Sequence, residues 1–284
     1  MNLKGRREST HVEDRRGKGS KMAIGGGIGG VIIAAIIALL MGGDPSEVVQ
    51  QALGSTAGQT ESYTPTAQEE EFAVFAKQIL ASTEDVWSEE FAKMGRTYRA
   101  PTLVLFHGSV QSACGGATAA AGPFYCSADE KVYLDLDFFN EMATTIGAGG
   151  DFAYAYVIAH EVGHHVQHLL GTLDEAHAAM RDAGERERNR ISVRLELQAD
   201  YYAGVWGHKE NQRYGSLEAG DLDEAVNAAA KIGDDYLQKK GRGYTVPDSF
   251  THGTSAQRMR WLKKGLDSGN MRGGDTFAPA YGSL

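Results

Sequence analysis

The chain has 284 residues, a formal net charge of −9 at pH 7 and a hydrophobic fraction of 42%. This hydrophobic fraction is ordinary for a globular protein and excludes a chain that is disordered throughout. The acidic balance argues against nucleic acid as a partner, because phosphate binding relies on clustered lysine and arginine. The length allows one fair-sized domain with appendages.

The N-terminal part of the chain predicts a membrane anchor. Residues 22–43 carry no charge over 22 residues, which is long enough for a helix to span a bilayer. Seven lysines and arginines precede this stretch, and none follows it until Lys77. The positive-inside rule therefore predicts a single-pass membrane protein, with residues 1–21 as a basic cytoplasmic segment and the domain on the other side. A cleaved signal peptide is the alternative, but no Ala-x-Ala follows the apolar run.

Residues 44–68 are rich in serine, threonine, glutamine and glycine, and this composition predicts a linker. Within the anchor, Gly25 with Gly29 and Gly26 with Gly30 have the spacing at which two membrane helices can pack. A homodimer through the glycine-rich anchor is one interpretation of this spacing. The other is that these glycines have no role in packing.

The domain is expected at residues 69–284, and it begins with a helix followed by short strands. From Glu69 the apolar residues recur at helical spacing, whereas Thr102–Phe106 and 131–136 have the composition of strands. Between the two strands, Cys114 and Cys126 flank a loop rich in glycine and alanine. In an oxidising compartment they would form a disulfide, and two free thiols are the alternative.

After Asp151 the chain reads almost entirely as helices. The first is expected to run to about Leu170, where Gly171 ends it. A charged helix, a further amphipathic helix at 221–240 and a last helix capped by Thr254 or Ser255 follow. The predicted fold class is α+β, mostly helical, with a small β-sheet before the first of these helices and one N-terminal transmembrane helix.

The segment His160-Glu161-Val162-Gly163-His164 carries the clearest chemistry. On a helix, His160 and His164 lie one turn apart on the same face, so their imidazoles can bind a single metal ion. Glu161 is then close enough to take a proton from a metal-bound water without binding the metal. The pattern predicts a zinc-dependent peptidase with Glu161 as general base.

A third ligand is expected on the charged helix. Glu196 and Asp200 are again one helical turn apart, and apolar neighbours such as Leu195 and Leu197 indicate that this helix is buried. A buried carboxylate needs a partner. Glu196 would complete a zinc site that leaves one position for water, and Asp200 would accept the free ring N–H of a ligand histidine. The alternative is that both are surface carboxylates.

The reaction also needs a donor that stabilises the oxyanion. His252 is the first candidate, because it lies in a turn bounded by glycine and just before a helix cap. Tyr201, Tyr202 and His208 are the alternatives. His252 could equally be a turn residue that bonds to nearby backbone.

The chain resembles the bacterial family of putative neutral zinc metallopeptidases, and an ordered series of motifs carries the likeness. These motifs are Glu13-Asp14-Arg15-Arg16-Gly17, Thr83-Glu84-Asp85-Val86-Trp87, Ala113-Cys114-Gly115, Gly122-Pro123-Phe124-Tyr125-Cys126, Val132-Tyr133-Leu134-Asp135-Leu136, the His160–His165 segment, Glu196-Leu197-Gln198-Ala199-Asp200 and the stretch from His252 to Arg258. The resemblance implies a zincin-like fold, one catalytic Zn²⁺ and a membrane-anchored domain in the periplasm or at the cell exterior. Tyr201 departs from the family, which commonly has cysteine there.

The predicted function is hydrolysis of peptide bonds by a zinc-activated water. One alternative is a non-catalytic, membrane-tethered interaction module in which zinc only stabilises the fold. Another is hydrolysis of a different substrate class, because the motif defines the chemistry and not the substrate.

Overall fold

The computed structural model describes residues 1–17, 63–118 and 122–284. Its strands are β1 (Val12–Asp14), β2 (Thr102–Phe106), β3 (Ser109–Ser112), β4 (Gly115–Thr118), β5 (Phe124–Cys126) and β6 (Lys131–Asp135). Its α-helices are α1 (Ala67–Lys93), α2 (Asp137–Glu141), α3 (Asp151–Leu170), α4 (Thr172–Asp182), α5 (Glu185–Tyr214), α6 (Asp221–Lys231), α7 (Asp234–Arg242) and α8 (Ser255–Ser268). A π-helical turn (Met142–Ile146) follows α2, and short 3₁₀ turns lie at Pro247–Ser249, Met271–Gly274 and Tyr281–Ser283. The predicted fold, mostly helical with a small sheet before the first metal-site helix, is confirmed for this part of the chain.

The main sheet has the strand order β1-β2-β6-β5. Strands β1, β2 and β6 are parallel, whereas β5 is antiparallel to β6. Strands β3 and β4 form a separate hairpin. Both central strands are buried after their first residue, and residues 103–106 and 132–134 are apolar without alternation.

The predicted disulfide between Cys114 and Cys126 is present. It joins the turn of the β3–β4 hairpin to the end of β5, and β5 contacts helix α3.

Helix α3 lies at the centre of the core, and α5 packs across it. Gly163 of α3 makes this crossing possible, because a Cβ there would lie 3.0 Å from the carbonyl oxygen of Ala199 in α5. Contacts this short are essentially at the limit of what side chains tolerate. The close approach brings the faces of α3 and α5 that carry the candidate ligands into contact.

The helix expected over 221–240 is two helices, α6 and α7, and the expectation of one element was wrong. The chain breaks at Gly233, where a Cβ would overlap the backbone of Ser255. Asp234 follows this break and caps the turn that precedes α8. An amphipathic pattern alone does not reveal such a break, because the spacing of apolar residues continues through it.

Residues 1–17 pack on the domain. Strand β1 pairs with β2, and Val12 lies opposite Leu103. The Arg6 guanidinium donates to Glu210 of α5 at 2.7 Å, and Met1 and Leu3 are buried in the main core. This part of the predicted basic segment therefore belongs to the same folded unit as the helices.

The predicted membrane topology is wrong. Within residues 1–17, 63–118 and 122–284, no helix is both long and apolar enough to cross a membrane. Residues 22–43, with their glycine pairs, lie outside the described residues, as does the predicted linker up to residue 62. The single-pass arrangement, with the domain beyond the membrane, is not supported.

Candidate metal centre

His160, His164 and Glu196 come together where α3 crosses α5. Nε2 of His160 lies 3.1 Å from one oxygen of Glu196, and Nε2 of His164 lies 3.4 Å from the other. One ligand atom from each of the three residues lies within 4.8 Å of the others. Ligand atoms about 2 Å from a tetrahedral zinc ion are roughly 3.3 Å apart, which is close to the two nitrogen–oxygen distances in this trio.

The other ring nitrogen of each histidine faces a fixed hydrogen-bond partner. Nδ1 of His160 lies 2.8 Å from Asp200, and Nδ1 of His164 lies 2.8 Å from the side-chain oxygen of Gln167. Gln167 is itself held, because its amide nitrogen donates to the Leu195 carbonyl at 2.8 Å. A proton on each Nδ1 leaves both Nε2 atoms free to bind a metal.

Asp200 lies in the predicted position and is completely buried. Its carboxylate accepts the Tyr156 hydroxyl at 2.6 Å and two N–H groups of Arg258, each at 2.8 Å. Burial alone would raise the pKa of Asp200, but Arg258 and His160 outweigh it and hold the pKa below its usual value. The carboxylate is therefore ionised beside the histidine that it holds.

The charges of the metal centre are strongly coupled. Burial would lower the pKa of His160, but the neighbouring Asp200 and Glu196 raise it to about 10. Burial would likewise raise the pKa of Glu196, but the two histidines hold it well below its usual value. Without a metal, the positive charges of a protonated His160 and of Arg258 together balance the two carboxylates, and a divalent cation can take the place of the proton on His160.

Glu161 lies beside the ligand trio but does not belong to it. Its side chain is buried, and burial raises the pKa of its carboxyl group even though two histidines are near. Among the described residues, no side chain or backbone group donates a hydrogen bond to it. Glu161 is therefore a more basic carboxylate than usual, in the place where the motif predicts a proton acceptor.

His252 is buried, and the side chain of Asp234 organises the turn that contains it. One oxygen of Asp234 accepts the backbone N–H groups of Thr251, His252 and Gly253, and the other lies 3.2 Å from Nδ1 of His252. Burial would lower the pKa of His252, but Asp234 and then Glu196 outweigh it and raise the pKa. Both predictions for His252 are compatible with this geometry, since it is bonded within its turn and also feels the charge of Glu196.

The alternative oxyanion donors take part in structural contacts. The Tyr201 hydroxyl lies 2.9 Å from the Ser268 hydroxyl, and Nδ1 of His208 lies 2.7 Å from the Leu266 carbonyl oxygen. Tyr202 packs edge-on against Trp87. The Tyr201 hydroxyl and the His208 ring are therefore already engaged by neighbouring groups.

A second group of potential ligands lies at the carboxyl ends of β2 and β6. Glu69, His107 and Asp137 each offer one ligand atom within 4.8 Å of the others. However, the side chains of His107 and Asp137 are 41% and 47% exposed, and Glu69 accepts the backbone N–H of Thr66 in the cap of α1. A helix cap and a surface ion pair explain this group without a metal.

Sequence reasoning missed several residues around the metal centre. Tyr156, Gln167 and Asp234 were not singled out, and Arg258 stood only at the end of a motif. Tyr156 lies one turn before His160, so its place on the ligand face could have been found from the helical period. The contacts of Asp234 and Arg258 depend on how α7 and α8 pack, which no spacing in the sequence encodes.

The comparisons with known proteins point to the same chemistry. A family model described as "Putative neutral zinc metallopeptidase" matches residues 1–277. The uncharacterized protein YpfJ of Escherichia coli (strain K12) is 49% identical over 286 residues, which cover 98% of this chain and 99% of YpfJ. The uncharacterized protein Rv2575 of Mycobacterium tuberculosis (strain H37Rv) is 42% identical over 193 residues, which cover 64% of each protein.

No solved structure matches the chain. The family match, however, extends over nearly the whole sequence, and two imidazoles with one carboxylate are a donor set typical of zinc peptidases. The chain therefore belongs to the putative neutral zinc metallopeptidase family.

Proposed function

We propose that this protein is a zinc-dependent endopeptidase in which His160, His164 and Glu196 hold one catalytic Zn²⁺. The observation that carries the proposal is the number of donors in the trio. Structural zinc sites are closed by four protein ligands, whereas catalytic sites use three and keep a position for water or substrate. Within the described part of the chain, the group at α3 and α5 offers three.

Glu161 is the proposed general base. Bound zinc would supply a Lewis acid that acidifies a water molecule and polarises the substrate carbonyl. Glu161 accepts the proton of that water and passes it to the leaving amine of the cleaved peptide. Its raised pKa and buried position support this role, because a more basic carboxylate holds the proton long enough to deliver it.

His252 is the proposed oxyanion donor. Asp234 holds Nδ1 of the ring and favours the protonated imidazole, so Nε2 can donate to the oxygen that becomes negative during the attack. Glu196, one of the proposed zinc ligands, contributes after Asp234 to the raised pKa of His252, and this supports the role.

The non-catalytic alternative makes a different use of the same ligands. A zinc ion that only stabilises the fold needs no proton acceptor beside it. The presence of Glu161 next to the ligands therefore favours the enzyme.

The experiment is a Glu161→Gln variant of the full chain, assayed for bound zinc and for hydrolysis of an unstructured protein such as casein. We expect unchanged zinc content and a loss of hydrolysis of about 10²–10⁴-fold. Glu175→Gln is the matched control, because Glu175 is exposed on the neighbouring helix α4. Zinc retained with unchanged hydrolysis would remove Glu161 from its role. If chelation unfolds the protein and no hydrolysis is ever observed, the non-catalytic function is correct.

A further inference from the structure

Arg258 of α8 reaches into the metal centre from a third helix. Its side chain is 2% exposed, and it binds Asp200 with two parallel hydrogen bonds, Nε to Oδ2 and Nη2 to Oδ1, both at 2.8 Å. A bidentate arginine–carboxylate pair fixes both the position and the rotation of the carboxylate group. Arg258 therefore determines how Asp200 is oriented.

The orientation of Asp200 in turn determines what His160 can do. The Oδ1 atom that Arg258 holds is the same oxygen that faces Nδ1 of His160 at 2.8 Å. The Tyr156 hydroxyl donates to this oxygen as well, at 2.6 Å, and Nη2 of Arg258 lies 3.2 Å from that hydroxyl. Asp200 is completely buried, so these protein groups supply the hydrogen bonds that water would give to an exposed carboxylate.

Helix α8 has its own attachments to the rest of the domain, independent of the Arg258 side chain. Thr254 and Gln257 form a capping box at its start, and Ser255 is bonded to Asp235 of α7 through its backbone N–H at 2.7 Å. Trp261 and Leu262 bury the next turn of the helix. The helix can therefore keep its place when the guanidinium is removed.

We propose that Arg258 is a positioning residue for the zinc ligand His160 and acts on it through Asp200. The guanidinium fixes the Asp200 carboxylate so that Oδ1 holds the Nδ1–H of His160, and Nε2 of the ring remains directed at the metal. The inference rests on the proposed function, because it concerns the same centre. Lysine can replace arginine only in part here, since a single ammonium group does not form two parallel hydrogen bonds with one carboxylate.

The direction in which zinc affinity changes when Arg258 is removed distinguishes positioning from direct electrostatics. Nη2 of Arg258 lies 3.9 Å from a carboxylate oxygen of Glu196, so the positive charge of Arg258 would by itself oppose the binding of a cation. If Arg258 acted only through its charge, its removal would strengthen zinc binding. Positioning predicts the opposite.

The test compares the zinc dissociation constants of the full-length wild type, Arg258→Met and Arg258→Lys, measured by competition with a chelating dye. We expect Arg258→Met to weaken zinc binding by about 10–100-fold and Arg258→Lys to restore only part of the loss. Arg16→Met is the control, because Arg16 is also a buried arginine paired with carboxylates, Asp14 and Glu70, and does not contact the metal centre. It should leave the zinc affinity unchanged.

A double-mutant cycle with Asp200→Asn tests whether Arg258 acts through Asp200. In the Asp200→Asn background, Arg258→Met should weaken zinc binding by less than about threefold further, because the two residues belong to one unit. If the two substitutions weaken zinc binding independently, so that their fold-changes multiply in the double variant, the proposal is overturned. Wild-type zinc affinity in Arg258→Met would overturn it as well. If Arg258→Met does not fold, Arg258→Lys completes the same cycle with the same criteria.

Two further measurements distinguish a structural role of Arg258, and a failure of the proposed function, from a failure of this inference. A merely structural Arg258 would lower the unfolding temperature of the zinc-free protein and leave the zinc affinity of the folded protein unchanged, which would overturn the proposal. If the wild type itself binds no zinc at His160, the proposed function fails and this inference fails with it. Tight binding by both the wild type and Arg258→Met would overturn this inference alone.

Discussion

Asp234 holds His252 from two sides, because one carboxylate oxygen accepts the backbone N–H of His252 at 2.6 Å and the other lies 3.2 Å from Nδ1 of its ring. The same carboxylate accepts the N–H groups of Thr251 and Gly253, so the turn and the ring are fixed by a single buried residue. An aspartate in this position sets both the tautomer and the direction of the imidazole.

His252→Ala should leave zinc bound and reduce kcat by about 10²–10³-fold, with a smaller effect on KM, because an oxyanion donor acts mainly in the transition state. Steady-state kinetics on a peptide substrate, together with zinc analysis, would measure this. His208→Ala is the control, since the His208 ring bonds to the backbone of Leu266. A kcat equal to that of the wild type would exclude His252 as the donor.

Gly163→Ala should loosen the crossing of α3 and α5. The added Cβ would lie 3.0 Å from the carbonyl oxygen of Ala199, and backbone on both sides has no flexible group that can yield. Overpacking of this kind costs about 1–3 kcal/mol in the free energy of unfolding, and the helices that would separate carry all three ligands. The urea concentration needed for unfolding and the zinc affinity should therefore both decline, whereas Gly17→Ala, where none of the described residues lies within 4 Å, should change neither. Zinc affinity unchanged in Gly163→Ala would contradict this account of the crossing.

Arg6 should be essential to the attachment of the N-terminal segment. It pairs with Glu210, which is fully buried in α5 and also accepts a hydrogen bond from Ser216 at 3.0 Å. Arg6→Met would leave this carboxylate buried without its cation, which costs about 3–5 kcal/mol in the free energy of unfolding. Chemical denaturation would detect the loss, and the exposed Lys4 gives the control variant Lys4→Met.

The double variant Arg6→Met with Glu210→Gln tests whether the unpaired Glu210 carboxylate causes the loss of stability. Removal of the buried charge together with its partner should recover most of the lost stability, because the penalty comes from the unpaired carboxylate. If the double variant is as unstable as Arg6→Met alone, the pair does not carry the attachment.

The motif chemistry could be predicted from the sequence, because its geometry is local. His160 with His164, and Glu196 with Asp200, are each one helical turn apart, so recognition of the helices placed each pair on one face. The order of the two pairs along the chain then indicated a single site. This reasoning required only that α3 and α5 meet, and Gly163 allows them to do so.

The remainder of the site depends on long-range packing. Arg258 reaches Asp200 only because α8 packs on α5, and Asp234 reaches His252 only because the chain breaks at Gly233. The periodicity of the sequence does not predict such contacts, because they form between residues that are far apart in the chain and meet only in the folded protein. The break at Gly233 even contradicts the amphipathic pattern that predicted one helix.

The predicted orientation of the membrane anchor relied on counting the charges of the N-terminal segment as loop charges. Arg6 and Arg7 count toward the positive-inside rule, but in the fold they pair with Glu210 and Glu84 of the domain. Strand β1 is also only three residues long and mostly polar, so its sequence has no strand pattern. Only its partner β2 makes it a strand.

Acid should release strand β1 before the helical core unfolds. Hydrogen bonds from Lys131 and Arg15 lower the pKa of Glu13, and hydrogen bonds from Arg16 lower the pKa of Asp14. A carboxylate whose pKa is depressed in the folded state stabilises that state above its unfolded pKa of about 4, and the contribution is lost as the pH falls through the lower folded value. Both carboxylates are partly exposed, so each contributes modestly, and the release of β1 should be gradual.

Hydrogen–deuterium exchange of residues 12–14 between pH 7 and pH 3 would measure this release. Protection should be constant down to about pH 4.5 and should then decline, while the amides of α3 remain protected. In Glu13→Gln, which cannot form the ion pair with Lys131, protection should be weaker at pH 7 and should change less on acidification. Protection that falls equally in β1 and α3 would show that the segment does not open on its own, and that its carboxylates stabilise the whole domain.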